Sequence, residues 1–115
     1  MNERYKIGEA KFFLARMEES VGNREAFRYY LSALLAAAHS VIQYAREESK
    51  SKGGQQWYDK TLAGNVVLSY TSQAAFRHRF ADGPGSEDPI GSSHRYIEEL
   101  EKFVQRGMEE GILSG

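Results

Sequence analysis

The chain has 115 residues, a length that fits one domain with a single modest core. Its 41% hydrophobic and 27% charged residues are ordinary for a globular protein, and a formal net charge of −1 argues against a protein that coats nucleic acid by bulk electrostatics. The absence of cysteine excludes disulfides, thiolate metal sites and a cysteine nucleophile.

The charge is nevertheless uneven. Residues 1–81 carry 12 basic and 8 acidic side chains, and residues 82–115 carry 3 and 8. Only the first segment could meet a phosphate backbone locally. Met1-Asn2-Glu3-Arg4 has no apolar signal region behind it, and the run from Leu31 to Ile42 contains Ser32, His39 and Ser40 and is too short to span a bilayer. The expectation is a cytoplasmic protein with no membrane partner.

A first helix is predicted over Tyr5–Ser20. Ile7, Ala10, Leu14, Met17 and Val21 recur at spacings of three and four, and Phe12 and Phe13 widen the apolar face. Val21-Gly22-Asn23 then breaks the chain, so the first two helices should pack antiparallel. The clearest element runs from Arg24 to Ser49. Asn23 is its N-cap, Glu25 favours the positive end of the helix dipole, and no Gly or Pro interrupts the stripe from Phe27 to Ala45. Its apolar face is wide enough to need more than one covering helix. At 1.5 Å per residue it is roughly 39 Å long, more than a compact core of this size can cover, so a dimer along its length is a natural consequence.

Gly53-Gly54 reads as a flexible joint, and Trp57-Tyr58 as the start of a short helical turn that Gly64-Asn65 interrupts. A third main helix is predicted over Val66–Ala81, with Val67, Tyr70 and Ala74 inward. Residues 82–93 hold both prolines and read as a loop. Ser92 or Ser93 should cap a last helix reaching Glu110, with Ile97, Leu100, Val104 and Met108 as its stripe. Gly107 weakens that helix and Gly111 ends it. The whole is an all-α, antiparallel bundle of about four helices in one domain spanning residues 1–115.

Candidate chemistry is sparse. No pair of histidines has metal-ligand spacing, so neither a metal nor another cofactor is expected. His39 lies beside the core stripe and reads as structural. The loop from Asp82 to Ser93 lacks the Gly-Lys-Ser/Thr of a phosphate loop and carries acidic residues of its own. Arg77, His78 and Arg79 cluster at the end of the third helix. Arginine offers a planar donor fork to phosphate, and histidine can move a proton near neutral pH. The same charges would also simply favour a helix C-terminus. Tyr29, Tyr30, Trp57 and Tyr58 can stack bases or fill a core.

Ala10–Met17 (AKFFLARM), Phe27–Ser40 (FRYYLSALLAAAHS), Trp57-Tyr58 and Ala75-Phe76-Arg77-His78 together resemble a group of small prokaryotic HEPN-like helical proteins. The likeness spans residues 9–80. It implies a four- or five-helix bundle, often a homodimer, in families that include metal-independent ribonucleases of toxin–antitoxin and defence systems as well as non-catalytic RNA- or nucleotide-binding modules. Active members carry an Arg followed by a polar residue and, a few positions on, a His. Arg77 matches the Arg and His78 stands at the polar position, but Asp82, Gly83 and Pro84 occupy the stretch where the second residue of the pair would fall. His94 lies 17 residues beyond Arg77. The resemblance therefore implies an RNA- or nucleotide-binding or protein-interaction module, with RNA, a nucleotide or an antitoxin-like partner protein as its ligand. Arg79, Tyr30 and His94 are its candidate binding residues. The alternatives are an endoribonuclease using Arg77 and His78, and a purely structural dimerisation protein.

Overall fold

A computed structural model describes residues 2–65 and 89–115. Four α-helices make up these residues: α1 (Glu3–Glu19), α2 (Arg24–Ser51), α3 (Gln55–Ala63) and α4 (Pro89–Glu109). No strand occurs among the described residues, so the all-α expectation holds. The predicted helix over 66–81 and the part of the loop at 82–88 lie outside the described residues.

α2 is the spine. The amide of Ala26 donates to Asn23 Oδ1 at 3.1 Å, which satisfies one of the donors a helix start leaves open. Leu31, Leu34, Leu35, Ala38, Val41, Ile42 and Ala45 are buried along one broad face. Its 28 residues extend about 42 Å at 1.5 Å per residue, close to the longest dimension of the molecule, 46 Å. The other three helices all pack on it.

α1 returns antiparallel to α2 through the turn at residues 20–23, where Asn23 N–H donates to Ser20 O at 2.9 Å. Ile7, Ala10, Leu14 and Met17 are buried as their spacing requires. Two predicted members of that stripe are not in it. Val21 falls beyond the helix end and is 67% exposed. Phe12 is 51% exposed, because it sits two residues on from Ala10 and so points roughly 200° around the helix from it. Only Phe13 of the pair packs against the core.

α2 ends in a closed cap, not in the joint that the glycine pair suggested. Gly53 N–H donates to Lys50 O at 3.3 Å and Gly54 N–H to Ser49 O at 2.7 Å. Gly53 takes φ = 70°, the left-handed conformation that this pattern of bonds demands. Gly54 is then covered by Ile112, whose Cγ2 lies 2.7 Å from where a Cβ would stand. α3 is a full nine-residue helix. Trp57 stacks on Phe103 of α4 with centroids 5.2 Å apart, and buried Tyr58 meets the same ring edge-on at 6.1 Å. Asn65 Nδ2 then donates to Glu99 Oε2 at 2.8 Å, pinning the end of α3 to α4.

α4 starts at Pro89, earlier than predicted. Ser92 and Ser93 are therefore not caps but buried residues inside the helix. Tyr96, Ile97, Leu100, Phe103 and Val104 complete the core. α4 lies antiparallel to α1: Lys11 Nζ is 3.0 Å from Glu101 and His94 Nε2 is 3.0 Å from Glu18. At its end Gly111, with φ = 73°, makes the same cap as Gly53, and Ile112 N–H donates to Gly107 O at 2.9 Å. The tail then folds back and buries Leu113.

Candidate functional site

Arg77, His78 and Arg79, the residues singled out for phosphate chemistry, lie outside the described residues. Two other candidates are placed. Tyr30 is half-buried on α2 and packed against the core cluster, so its ring already has neighbours. The adjacent Tyr29 points outward, with its hydroxyl donating to Glu25 at 2.9 Å. His94 stands on the surface of α4 and hydrogen-bonds Glu18 across the seam with α1. Among the described residues no group of three or more histidines or carboxylates is arranged to hold a metal ion. No described helix is long and apolar enough to cross a membrane.

One cluster of titratable groups is internal. Glu3, at the start of α1, has no exposed surface, and it meets Glu48 near the end of α2. Burial pushes the Glu3 carboxyl up, and its hydrogen bond with Glu48 pushes it further. Burial also acts upward on Glu48, but hydrogen bonds from Glu3 and from the Ser114 hydroxyl outweigh it and hold Glu48 at about 2. The two carboxyls are thus driven apart in pKa, Glu3 upward and Glu48 downward. The pair ties the first turn of α1, the last turns of α2 and the C-terminal tail into one knot. Glu3 is fully buried while Ser114 is exposed at the outer end of the knot, an arrangement that suits a structural clasp.

The outer face of α1 is different. Tyr5 is 71% exposed and Phe12, seven residues on, is 51% exposed. Together with Glu9, Arg16 and Glu19 they step along the helix at intervals of four, three, four and three, so they form a second stripe opposite the buried one. The Arg16 guanidinium lies 5.0 Å over the Phe12 ring, a cation–π arrangement. Arg16 also bonds Glu19 at 2.9 Å, and Lys6 bonds Glu9 at 3.1 Å. Gly8 has open space where a side chain would stand. Tyr44 of α2, partly exposed, neighbours Lys6 beside this stripe and extends the aromatic surface across the α1–α2 seam.

This face was legible in the spacing of Tyr5, Glu9, Phe12, Arg16 and Glu19. It was obscured because Phe12 stands next to a phenylalanine that does face inward. No family model matches the chain, and no curated protein or solved structure matches it either.

Proposed function

We propose that this protein is a protein-interaction module, a helical bundle of HEPN-like type that docks on another chain through the outer face of α1. The observation that carries the reading is the pair of large aromatic rings, Tyr5 and Phe12, left in water on that face with Arg16 against one of them. A buried aromatic side chain gains roughly 1.5–3 kcal/mol over an exposed one. Tyrosine, phenylalanine and arginine are the residue types that anchor protein interfaces. Nucleic acid is the weaker ligand for this face. Each of its cations is already held by a carboxylate, Lys6 by Glu9 and Arg16 by Glu19, so little net positive charge is left for phosphate.

The test is Phe12→Asp, a surface change expected to leave the melting temperature nearly unaltered. It should abolish association of the protein with its partner chain, read as the loss of a larger species in sedimentation of the tagged protein from its native cells. An RNA-binding or ribonuclease function carried by Arg77 and His78 makes the opposite prediction. There, salt-sensitive RNA binding or metal-independent cleavage would be lost in Arg77→Ala and His78→Ala and would survive Phe12→Asp. That outcome, with no change in associated protein, overturns the proposal.

A further inference from the structure

We infer that the seam between α1 and α4 holds a binding site for a small monocarboxylate with a short, unbranched apolar tail. Packed helices normally fill the seam between them with side chains. Here a groove of about 210 Å³ is left open. Buried Ile7 and Val104 and half-buried Met108 line its apolar part. Arg4 stands at one end, and the ion pair of Lys11 with Glu101 at the other.

Gly8 keeps the groove open. It lies in mid-helix, where glycine weakens a helix, and the packing gives no reason for it, since a Cβ there would meet no described atom within 4 Å. Gly8 lines the groove, so a longer side chain at this position would occupy it.

The charges select the ligand. Lys11 and Glu101 satisfy each other at 3.0 Å, which leaves Arg4 as the excess charge of the groove. Only Nε of Arg4 is engaged, in a long, exposed bond of 3.4 Å to the Gly115 carbonyl. Its two terminal nitrogens have no partner among the described residues. A planar fork of that kind fits a carboxylate through two parallel hydrogen bonds. One excess positive charge balances a monoanion and would leave a phosphate dianion half neutralised. The tail then lies along Ile7, Val104 and Met108, where the flexible methionine adapts to its shape. Arg4 and Lys11 are seven residues apart, about 10 Å of helix at 1.5 Å per residue, the length of an extended acid of roughly six to eight carbons. Beyond that length a tail meets the charged Lys11–Glu101 pair and gains nothing.

Titration of the whole chain with butanoate, hexanoate, octanoate and the neutral hexanamide, followed by heteronuclear NMR, tests the site. Hexanoate should shift the amide signals of Gly8, Lys11, Val104 and Gln105 saturably. Butanoate, two methylenes shorter, should bind roughly tenfold more weakly. Octanoate should bind no more than about twofold more tightly than hexanoate, since its end leaves the apolar wall. Arg4→Gln should reduce hexanoate to the affinity of hexanamide while hexanamide itself is unchanged. Gly8→Leu should abolish binding of both, and thermal melts by circular dichroism verify that each variant is folded. Phe12 does not line the groove, so Phe12→Asp should leave hexanoate binding intact whatever becomes of protein docking. The absence of saturable hexanoate binding overturns the site. So does binding that Gly8→Leu leaves unaltered, or a preference for hexanoate over hexanamide that persists in Arg4→Gln.

Discussion

Gly107 offers a sharp test of how the tail is held, because local and tertiary effects there have opposite signs. In the interior of an exposed helix, replacing glycine by alanine stabilises by about 1 kcal/mol, since glycine loses more backbone freedom on folding. At Gly107 the added methyl would stand 2.5 Å from Leu113 Cγ and Cδ1 and 2.9 Å from Trp57 Cη2. Two responses are open to the molecule. The core can absorb the methyl as overpacking, at roughly 1–3 kcal/mol. Alternatively Leu113 can leave its buried place, at roughly 1.5–3 kcal/mol. Over most of its range either exceeds the helix gain, so Gly107→Ala should destabilise by up to about 2 kcal/mol and lower the melting temperature by up to about 8 °C. Gly8→Ala is the control. Gly8 sits in mid-helix with nothing within 4 Å of its would-be Cβ, so there the same substitution should raise the melting temperature. Both are read by thermal and urea melts, with Leu113→Ala completing a double-mutant cycle. Since Leu113→Ala removes the closer contact and leaves only Trp57, Gly107→Ala should cost less in that background. A stabilising Gly107→Ala, or full additivity with Leu113→Ala, would refute the contact.

Two further outcomes follow from the caps and the buried pair. Asn23→Ala removes the side-chain acceptor for Ala26 N–H and should cost about 1 kcal/mol in urea unfolding, while Asn23→Asp should cost almost nothing. The Glu3–Glu48 clasp sets a pH dependence with two signs. Glu3 has a raised pKa, so its contribution is complete below the ordinary 4.5 and is lost as pH climbs through the raised value. Glu48 is held at about 2, so its contribution is complete above 4.5 and is lost as pH falls from 4.5 towards 2. Glu3→Gln keeps a neutral donor to Glu48 at every pH. Its melting temperature should gain on the wild type as pH rises above 4.5 through the raised Glu3 value, and parallel curves would show that Glu3 is not raised.

The parts of the fold that periodicity alone determines were readable. α2 has a capping asparagine, no helix breaker and an uninterrupted stripe, so every local signal agrees with its packing. The parts that depend on distant partners were not. α3 has one buried residue, Tyr58, and a nine-residue helix is marginal alone. It is stabilised by the Phe103 ring, which no local window contains. Ser92 and Ser93 look locally like caps for α4, with Pro89 left to the loop before them. Packing decides otherwise, burying both inside the helix. Gly107 reads locally as a flaw in a helix, and only Leu113 and Trp57 give it a reason.

The α1 stripe shows why a candidate site can be visible and still be missed. Adjacent residues of a helix point about 100° apart, so Phe12 and Phe13 cannot serve one face equally. Assigning both to the core merges two stripes into one wide one. Separated, they leave α1 apolar on the side of Ile7, Ala10, Leu14 and Met17 and aromatic on the side of Tyr5 and Phe12. Opposed apolar faces cancel, so α1 looks weakly amphipathic where a helix serving the core alone would look strongly so. α4, with exposed Arg95, Glu98, Lys102 and Arg106 opposite its buried stripe, is that second kind of helix. A helix built like α4 can lose its outer side chains to alanine with little effect. In α1 the outer Phe12 ring meets Phe13 edge-on and carries Arg16 over its face, yet about half of it stays in water, a placement that the docking role proposed above would use.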